Sequence, residues 1–376
     1  MTVQLLEGLK VALVHDWLNG MRGGEKCLEV LCELFPEADL YTLIHKKGSL
    51  SNRIESMSIR TSFIQQMPFG LSKYRHYLPL FPLAIEQFDF SSYDIIISSS
   101  HCVAKGAKHD ESVYHLSYVH APMRYVWDQF DTYFRQPRTS LPIRIGAELM
   151  RPYLQRWDRK TAKRVDTFLC NSQNISQKIF DYYQRDSQII YPPVDLSHFR
   201  PGGTKENYYL MVGAFAPNKR VDLAVEAFNQ LKLPLKIVGS GQDEEHCRSI
   251  AGENIEFLGA LSSEKLLALY QSARAFVFPG EDDFGITPLE AQACNTPVIA
   301  YASGGAKETV TDQTGLFFTE QKVAALCEAV EKMECNWKYY VPAAFQQQTS
   351  SFGRKQYKKE MAVAIEDGYR LWKTKL

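Results

Sequence analysis

The sequence has neither an excess of charge nor a long apolar run. Its 43 lysine and arginine residues equal its 43 aspartate and glutamate residues, which gives a formal net charge of zero. A protein that holds nucleic acid electrostatically carries a strong positive excess, so we expect no nucleic-acid partner. No apolar segment approaches the roughly 20 residues that a transmembrane helix needs. Residues 1–10 also lack the basic start and apolar stretch of a secretory signal, so we expect a cytoplasmic protein.

The motifs of several common cofactors are absent as well. The eight cysteines form no C-x-x-C pair and no Cys/His cluster with the spacing of a zinc site, so buried reduced thiols are the natural interpretation. The first glycine-rich turn does not contain G-x-G-x-x-G, which argues against a nicotinamide dinucleotide. We therefore expect no cofactor and no metal ion.

Length and hydrophobic patterning predict two α/β domains. With 376 residues, of which 45% are hydrophobic, the chain suffices for two globular domains of about 150 residues each. Short, nearly wholly apolar segments alternate with segments of helical periodicity, as in parallel sheets covered on both faces. We predict two Rossmann-like domains whose doubly wound parallel sheets face a cleft. The predicted strands are 10–15, 38–44, 95–100, 115–120, 167–172, 189–195, 208–213, 235–241, 255–259, 275–278, 296–301 and 316–318.

A Pro-Gly-Gly-Thr segment at 201–204 is the best linker. We predict a first domain over 1–198 and a second over 199–352. The final segment, 353–376, has helical periodicity and follows the last strand of the second sheet. We expect this helix to pack back on the first domain.

An acidic loop follows the predicted strand 275–278. It contains Asp282 and Glu290 with seven residues between them, and a helix begins behind Thr287 and Pro288. In open α/β sheets ligands bind beyond the carboxyl ends of the strands, so this loop is a candidate site. Taken alone, it also fits a solvated turn whose acids are favoured by the helix dipole.

Lys219 and Arg220 lie between the first strand and the first helix of the second domain, at the same sheet edge as the acidic loop. A helix dipole disfavours cations at a helix start, so their placement is informative. Lysine offers a point charge and arginine a bidentate fork, which together suit a diphosphate. Glu290 is suited to accept hydrogen bonds from ribose hydroxyls, as acids do in other nucleotide sites.

The first domain offers two further candidates. Gly23 and Gly24 open a helix after the first strand, where glycines let backbone N–H groups approach an anionic ligand. His120 ends a strand in the sequence His-Ala-Pro, where it either contacts a substrate or has a structural role.

Together and in this order, these motifs resemble glycosyltransferase family 4, whose members are retaining enzymes of the GT-B fold. The chain is similar in particular to bacterial mannosyl- and rhamnosyltransferases of O-antigen and exopolysaccharide assembly. Residues 11–18, 21–26 and 191–195 match that subgroup closely, and the resemblance covers nearly the whole chain.

The resemblance implies a role for each candidate residue. Lys219 holds the donor's diphosphate with help from Arg220, Glu290 binds the ribose, and Asp282 lies by the transferred sugar. The remaining implied contacts are the backbone around Phe284, Gly285 and Ile286 on the sugar, His120 on the sugar from the other domain, and Gly23 and Gly24 beside the phosphates and acceptor. The implied catalytic residues are His120, Asp282 and Lys219.

Two positions depart from the family pattern. The first acid is usually glutamate, whereas this chain has Asp282 with Glu281 beside it, and either carboxylate fits the role. Many members also carry arginine where this chain has Ala214, which leaves Lys219 and Arg220 to neutralise the diphosphate.

The resemblance implies transfer of mannose or a related 6-deoxyhexose from a GDP-sugar to a lipid-linked glycan of bacterial surface polysaccharide. It favours front-face substitution without a metal ion. Two alternatives stay open: the same fold with a UDP- or TDP-sugar donor, and a catalytically silent sugar-nucleotide-binding scaffold.

Two stretches combine cations with aromatic residues. Residues 62–90 and 151–164 fit an anionic membrane surface on the cytoplasmic side, and the second equally fits a solvated helix face.

Overall fold

The computed structural model describes residues 6, 8–135 and 139–375. Residues 1–5 and 7, part of the segment in which a secretory signal was sought, lie outside the described residues. The chain divides into two compact units, of which the first comprises Met1–Pro193 with Lys355–Leu376 and the second Val194–Arg354. The segment 201–204 therefore lies inside the second unit and not at its edge.

The first unit is built on a seven-stranded parallel sheet. Its strand order is β3-β2-β1-β4-β5-β6-β7, so the chain winds outward from β1 in both directions. The strands are β1 Val11–His15, β2 Asp39–Thr42, β3 Ser58–Thr61, β4 Ile95–Ser100, β5 Tyr114–Val119, β6 Thr167–Cys170 and β7 Gln188–Ile189. The helices are α1 Gly23–Leu34, α2 Asn52–Glu55, α3 Phe81–Glu86, α4 Phe130–Phe134, α5 Leu141–Thr161 and α6 Gln173–Tyr183.

The second unit repeats this architecture with a six-stranded parallel sheet in the order β10-β9-β8-β11-β12-β13. Its strands are β8 Tyr209–Val212, β9 Leu235–Val238, β10 Ile255–Gly259, β11 Ala275–Phe278, β12 Val298–Tyr301 and β13 Gly315–Phe318. Its helices are α7 Val221–Leu231, α8 Glu244–Ile250, α9 Ser263–Ser272, α10 Ile286–Ala293, α11 Ala306–Thr309, α12 Val323–Asn336 and α13 Pro342–Ser350. The predicted fold class of two Rossmann-like parallel-sheet units is confirmed.

Alternate residues of the central strands enter different cores, which explains why these strands read as continuous apolar runs. Ile95 and Ile97 of β4 pack in one core, while Ile96 between them packs in another on the opposite face. A parallel sheet covered by helices on both faces requires apolar side chains at both kinds of position.

The last helix, α14 (Arg354–Lys373), belongs to the first unit. Its buried residues Tyr357, Met361 and Ile365 recur at helical spacing and share a core with Leu28 of α1. Lys358 Nζ also lies 2.9 Å from Glu33 Oε2 of α1. This apolar stripe fixes the helix against the first sheet.

The strands β3 and β7 show the largest differences from the sequence predictions. The edge strand β3 was not predicted, because its residues are largely exposed and carry no apolar run. The predicted strand 189–195 is too long, since β7 ends at Ile189 shortly before Pro192 and Pro193. Proline has no backbone N–H and cannot donate to the ladder.

Within residues 6, 8–135 and 139–375, no helix is both long and apolar enough to cross a membrane.

Candidate functional site

Both sheets have a point where the strand order reverses. In the first unit β1 lies beside β4, and in the second unit β8 lies beside β11. Ligands of open α/β sheets bind outside the carboxyl ends of strands at such points. The candidate residues Lys219 and Asp282 follow β8 and β11, and His120 follows β5, the neighbour of β4.

Glycines bring three loops of the second unit into backbone contact. A Cβ at Gly280 would lie 2.3 Å from the Asn218 carbonyl oxygen, and one at Gly304 would lie 2.2 Å from that of Asp282. Gly304 also has a φ of +57°, which favours glycine. The Gly305 N–H donates to the Asp282 carbonyl at 2.9 Å. The loop after β12 is thereby packed directly on the acidic loop.

Lys219 and Asp282 form an ion pair at the carboxyl edge of the second sheet. Lys219 Nζ lies 2.5 Å from Asp282 Oδ2, and the two side chains are 21% and 22% exposed. Gly280 permits this approach, because a Cβ there would lie 2.6 Å from the Lys219 Cα. The structure brings together the two residues to which the sequence analysis gave neighbouring roles, one at a diphosphate and one at a sugar.

Arg220 and Glu281 contact other residues, although they adjoin this pair in sequence. The Arg220 guanidinium donates to the carboxylate of Asp222, with Nε 3.1 Å from Oδ1. Asp222 lies in the first turn of α7 and offsets the cation that the helix dipole disfavours there. Glu281 Oε2 accepts a hydrogen bond from Ser303 Oγ at 3.0 Å. The two adjacent acids therefore have different partners.

The helix α10 carries the second acid. It begins at Ile286 behind Gly285, whose φ of +91° turns the chain into the helix. Glu290 is buried, and its Oε2 accepts a hydrogen bond from Tyr270 Oη at 3.0 Å. Burial first, and the Glu290 charge second, raise the pKa of Tyr270 well above its usual value, so this hydroxyl remains a donor. Phe284 is buried against Phe352 and anchors the start of the helix.

In the first unit, the start of α1 lies beside two histidines. A Cβ at Gly24 would lie 3.5 Å from His15 Cε1 and 3.6 Å from His120 Nε2. Gly23 is the first residue of α1, and Glu25 accepts a hydrogen bond from the Arg22 N–H at 3.0 Å. This hydrogen bond is one half of a capping box, and it fixes the Glu25 side chain at the helix N-terminus.

A serine joins the two histidines. Ser99 Oγ lies 3.1 Å from His15 Nδ1 and 2.8 Å from His120 Nε2. The His120 carbonyl accepts a hydrogen bond from Asn171 Nδ2 at 2.9 Å, so its backbone is held as well. The position of His120 is fixed by side chains from two other segments of the chain.

Burial keeps His101 and His120 neutral near pH 7. Burial is the largest cause that places the pKa of His120 well below its usual value, and the neighbouring His101 and His15 add to it. Burial likewise lowers the pKa of His101 to about 3. A neutral imidazole has one N–H donor and one acceptor nitrogen, so His120 offers both kinds of hydrogen bond.

Asp16 fixes the loop after β4 to the loop after β1. Its Oδ1 accepts hydrogen bonds from the Val103 and Ala104 N–H groups at 2.6 and 2.8 Å. Its Oδ2 accepts them from the His101 and Cys102 N–H groups at 2.6 and 3.0 Å. Four donors stabilise this fully buried carboxylate and hold the crevice at the switch point.

His15, Asp16 and Ser99 were not predicted as individual site residues. A signal was present, because these polar residues directly follow the apolar runs of β1 and β4. Their proximity depends on β1 lying beside β4, which residue spacing does not reveal.

Among the residues that the structure describes, no group of three or more His, Cys, Asp or Glu side chains is arranged to hold a metal ion.

Residues 197–352 match the model of the family Glycosyl transferases group 1. The segment contains the Lys219–Asp282 pair and Glu290, and it nearly coincides with the second unit. The second unit is therefore similar to the glycosyltransferases of this family.

Curated relatives align with parts of the chain. A GDP-mannose-dependent monoacylated alpha-(1-6)-phosphatidylinositol monomannoside mannosyltransferase of Corynebacterium glutamicum is 38% identical over 30% of this chain and 34% of its own length. An O-antigen chain mannosyltransferase of Salmonella typhimurium is 31% identical over 38% of this chain and 43% of its own. A D-inositol 3-phosphate glycosyltransferase of Mycobacteroides abscessus is 28% identical over 47% and 46%. The alignments thus span less than half of each relative.

Solved structures resemble nearly the whole chain in fold. Sucrose-phosphate synthase from Thermosynechococcus elongatus has a TM-score of 0.74 with 17% identity, and the likeness covers 96% of this chain and 100% of that one. Anabaena Alr3699/HepE in complex with UDP has a TM-score of 0.70 with 13% identity, over 96% and 100%. The fold is that of the GT-B glycosyltransferases.

Proposed function

We propose that this protein is a retaining glycosyltransferase that moves a hexose from a nucleotide-sugar to a glycan acceptor. The observation that carries the proposal is the Lys219–Asp282 pair, which lies at the carboxyl edge of a sheet in a glycosyltransferase domain. A cation and a carboxylate 2.5 Å apart suit the two parts of a sugar diphosphate, since one attracts phosphate and the other accepts from hydroxyls.

The second unit binds the donor in this proposal. Lys219 neutralises the diphosphate, with Arg220 as its second cation once the Asp222 contact is exchanged for phosphate. Glu290 binds the ribose, and its hydrogen bond from Tyr270 orients the carboxylate. The chain has alanine and not arginine at position 214, shortly after β8, so the charge of Lys219 matters more.

The transferred sugar is held by acids and backbone. Asp282 is the proposed first acid, because it contacts Lys219, the residue proposed at the diphosphate, whereas Glu281 contacts Ser303. The backbone of Phe284, Gly285 and Ile286 presents the start of α10 to the sugar. For the first unit we propose that His120 contacts the sugar, and that Gly23 and Gly24 border the phosphates and acceptor.

The proposed chemistry is front-face substitution, with the leaving phosphate taking the acceptor's proton. Asp282 and Glu290 both have binding roles, so neither serves as the nucleophile of a covalent route. The protein contributes orientation and stabilises charge on the departing nucleoside diphosphate. Lys219, Arg220 and helix N-termini supply that charge without a metal ion or another cofactor.

For the donor we propose a GDP-sugar carrying mannose or a related 6-deoxyhexose. The proposal draws on the mannosyltransferases among the curated relatives, one of which is named as GDP-mannose-dependent. A UDP- or TDP-sugar is the alternative, and one structure of similar fold holds UDP. Calorimetric titration of the full chain with GDP, UDP and TDP separates these, and preference for UDP or TDP would overturn the donor assignment.

For the acceptor we propose a lipid-linked glycan of the O-antigen type, reached from the cytoplasmic face of a membrane. Helix α5 supports this assignment. Leu141, Ile145 and Leu149 lie four residues apart on this helix and are 67%, 51% and 74% exposed. Exposed cations follow on its second half and just beyond it, namely Arg156, Arg159, Lys160 and Lys163. An apolar stripe followed by cations fits an anionic lipid surface, at about 1 kcal/mol for each cation near it.

The other predicted membrane stretch, 62–90, is core only in part, and Phe69 within it is 70% exposed. Tyr74, Phe81 and Phe90 are buried, so those aromatic residues do not form a surface. In the basic stretch, Arg151 donates to the Val126 carbonyl and Arg164 pairs with Glu86. Only part of the predicted basic and aromatic surface is therefore free to meet lipid.

Vesicle sedimentation tests the membrane assignment. We expect binding to vesicles that contain phosphatidylglycerol, weaker binding at high salt, and loss of binding in the double variant Ile145→Ser/Leu149→Ser. Leu371→Ser, which removes an equally exposed leucine from α14, is the matched control. Equal binding by all three proteins would contradict the assignment of α5.

A further inference from the structure

Four side chains of the first unit form a continuous run from the start of α1 to the end of β5. They are Glu25, His15, Ser99 and His120. Glu25 Oε1 lies 3.7 Å from His15 Nε2, and Ser99 Oγ joins His15 Nδ1 at 3.1 Å to His120 Nε2 at 2.8 Å. The first three side chains are almost completely buried. In such surroundings the direction of each hydrogen bond has large energetic consequences.

The serine hydroxyl has a single proton, so the two histidines cannot both receive it. With both imidazoles neutral, either Ser99 donates to His15 and accepts from His120, or it donates to His120 and accepts from His15. The first arrangement places the His15 proton on Nε2, toward Glu25. The second places a lone pair of His15 there instead.

The charge of Glu25 selects the first arrangement. Burial alone would raise the pKa of Glu25, but its interactions with the His15 side chain reverse this, and the net shift is downward. Glu25 also lies in the first turn of α1 and accepts from the Arg22 N–H, and both favour the ionised form. A carboxylate at 3.7 Å attracts an N–H at His15 Nε2 and repels a lone pair.

We infer that Glu25, His15 and Ser99 are positioning residues that hold His120 as the tautomer with its proton on Nε2 and an acceptor at Nδ1. The inference rests on the proposed function, in which His120 contacts the transferred sugar. It adds the direction of that contact: a sugar hydroxyl donates to His120 Nδ1. The backbone of His120 is held separately, since its N–H donates to the Ser100 carbonyl and its carbonyl accepts from Asn171.

The adjacent serine provides an internal control. Ser98 is as buried as Ser99, but its Oγ lies 2.9 Å from His115 Nε2. Removal of the Ser98 hydroxyl therefore takes the same group from the same strand and leaves the run to His120 intact.

Nitrogen NMR of the full chain with ¹⁵N-labelled histidine tests the inference directly. The His120 signals are identified by their loss in His120→Asn. We expect the wild type to show a protonated Nε2 and an unprotonated Nδ1. Ser99→Ala should mix the two tautomers and lower turnover by about tenfold, the effect of one good hydrogen bond. Ser99→Thr should restore both, and Ser98→Ala should change neither.

Other outcomes of these experiments would also overturn or support the inference. A wild-type His120 with its proton on Nδ1, or an unchanged tautomer in Ser99→Ala, would overturn the inference. If Ser99→Ala does not fold, Glu25→Gln serves in its place, because it removes the charge that selects the tautomer and should likewise mix the forms. A wild type with the expected tautomer but no turnover with any donor supports this assignment and removes the proposed function.

Discussion

Lys219 Nζ lies 2.5 Å from Asp282 Oδ2, so the cation assigned to a donor's diphosphate already has an anionic partner. Gly280 permits the contact, because its missing Cβ is what lets the acidic loop approach the Lys219 backbone. A diphosphate must compete with Asp282 for this ammonium group. The pair therefore couples the proposed phosphate contact to the proposed sugar contact.

Asp282→Asn separates these two roles. The side chains of Lys219 and Asp282 are partly exposed, and an ion pair of this kind contributes about 0.2–1 kcal/mol of interaction free energy. With the carboxylate gone, we expect a free nucleoside diphosphate to bind up to about fivefold more tightly, whereas turnover of the nucleotide-sugar falls. Calorimetry and a nucleoside-diphosphate release assay measure the two effects. Glu328→Gln, which breaks an exposed ion pair on α12, is the control, and weaker diphosphate binding by Asp282→Asn would contradict competition.

Gly24→Ala should preserve the fold and impair function. The added methyl group would make ordinary contacts of 3.5 and 3.6 Å with His15 and His120, and alanine in a helix is favoured over glycine by about 0.5–1 kcal/mol. We expect an unchanged or slightly higher free energy of unfolding and a turnover reduced by about tenfold or more, since small misplacements of reactants are costly.

Gly146→Ala on α5 is the matched control, because nothing lies within 4 Å of its Cβ position. Gly146→Ala should gain the same helix stability from alanine and keep wild-type turnover. Wild-type turnover in Gly24→Ala as well would remove Gly24 from the proposed site.

Asp16→Asn should destabilise the first unit. The carboxylate accepts from four backbone N–H groups, and an amide nitrogen in place of one oxygen leaves two of them facing another donor. Each buried unsatisfied group costs about 1–3 kcal/mol, so we expect a loss of about 3 kcal/mol or more in the free energy of unfolding. Urea denaturation measures it. Asp89→Asn, at an exposed aspartate that accepts from the Ser91 N–H, should lose far less.

Stability should fall as the pH drops below about 6.5. The pKa values of His101, His115 and His120 are lowered in the folded protein, chiefly by burial, whereas the unfolded chain takes up protons near 6.5. The stability that these histidines contribute is complete above their pKa in the unfolded chain. It is lost as the pH falls toward their pKa in the folded protein, by up to about 1.4 kcal/mol per histidine and pH unit. Urea midpoints at about pH 7.5 and pH 5.5 check this, and equal midpoints would contradict it.

The fold was predictable because the buried strands are continuous apolar runs. Both faces of each sheet are covered, so strands such as β4 and β11 carry an apolar residue at every early position. The edge strand β3 was missed for the opposite reason, since its exposed residues show no such run.

The positions of the candidate residues in the second unit were predictable from the sequence, but their contacts with each other were not. Lys219 and Asp282 each follow an apolar strand, which puts both at one sheet edge. Their direct contact depends on the order of strands and on the close approach at Gly280. The run from Glu25 to His120 draws on α1, β1, β4 and the end of β5, and no spacing in the sequence indicates that these segments meet.

Turnover by the full chain with a membrane extract tests the central claim most directly. The account predicts that the wild type releases GDP from GDP-mannose when acceptor is present, and that the product retains the anomeric configuration.

Lys219→Gln should abolish this release and weaken nucleotide binding about tenfold to a hundredfold, as expected for a lost hydrogen bond to a charged group. Lys232→Gln, at the far end of α7, should behave as the wild type. A protein that binds a nucleotide-sugar but releases no nucleoside diphosphate with any acceptor, or equal turnover by Lys219→Gln, would contradict the account.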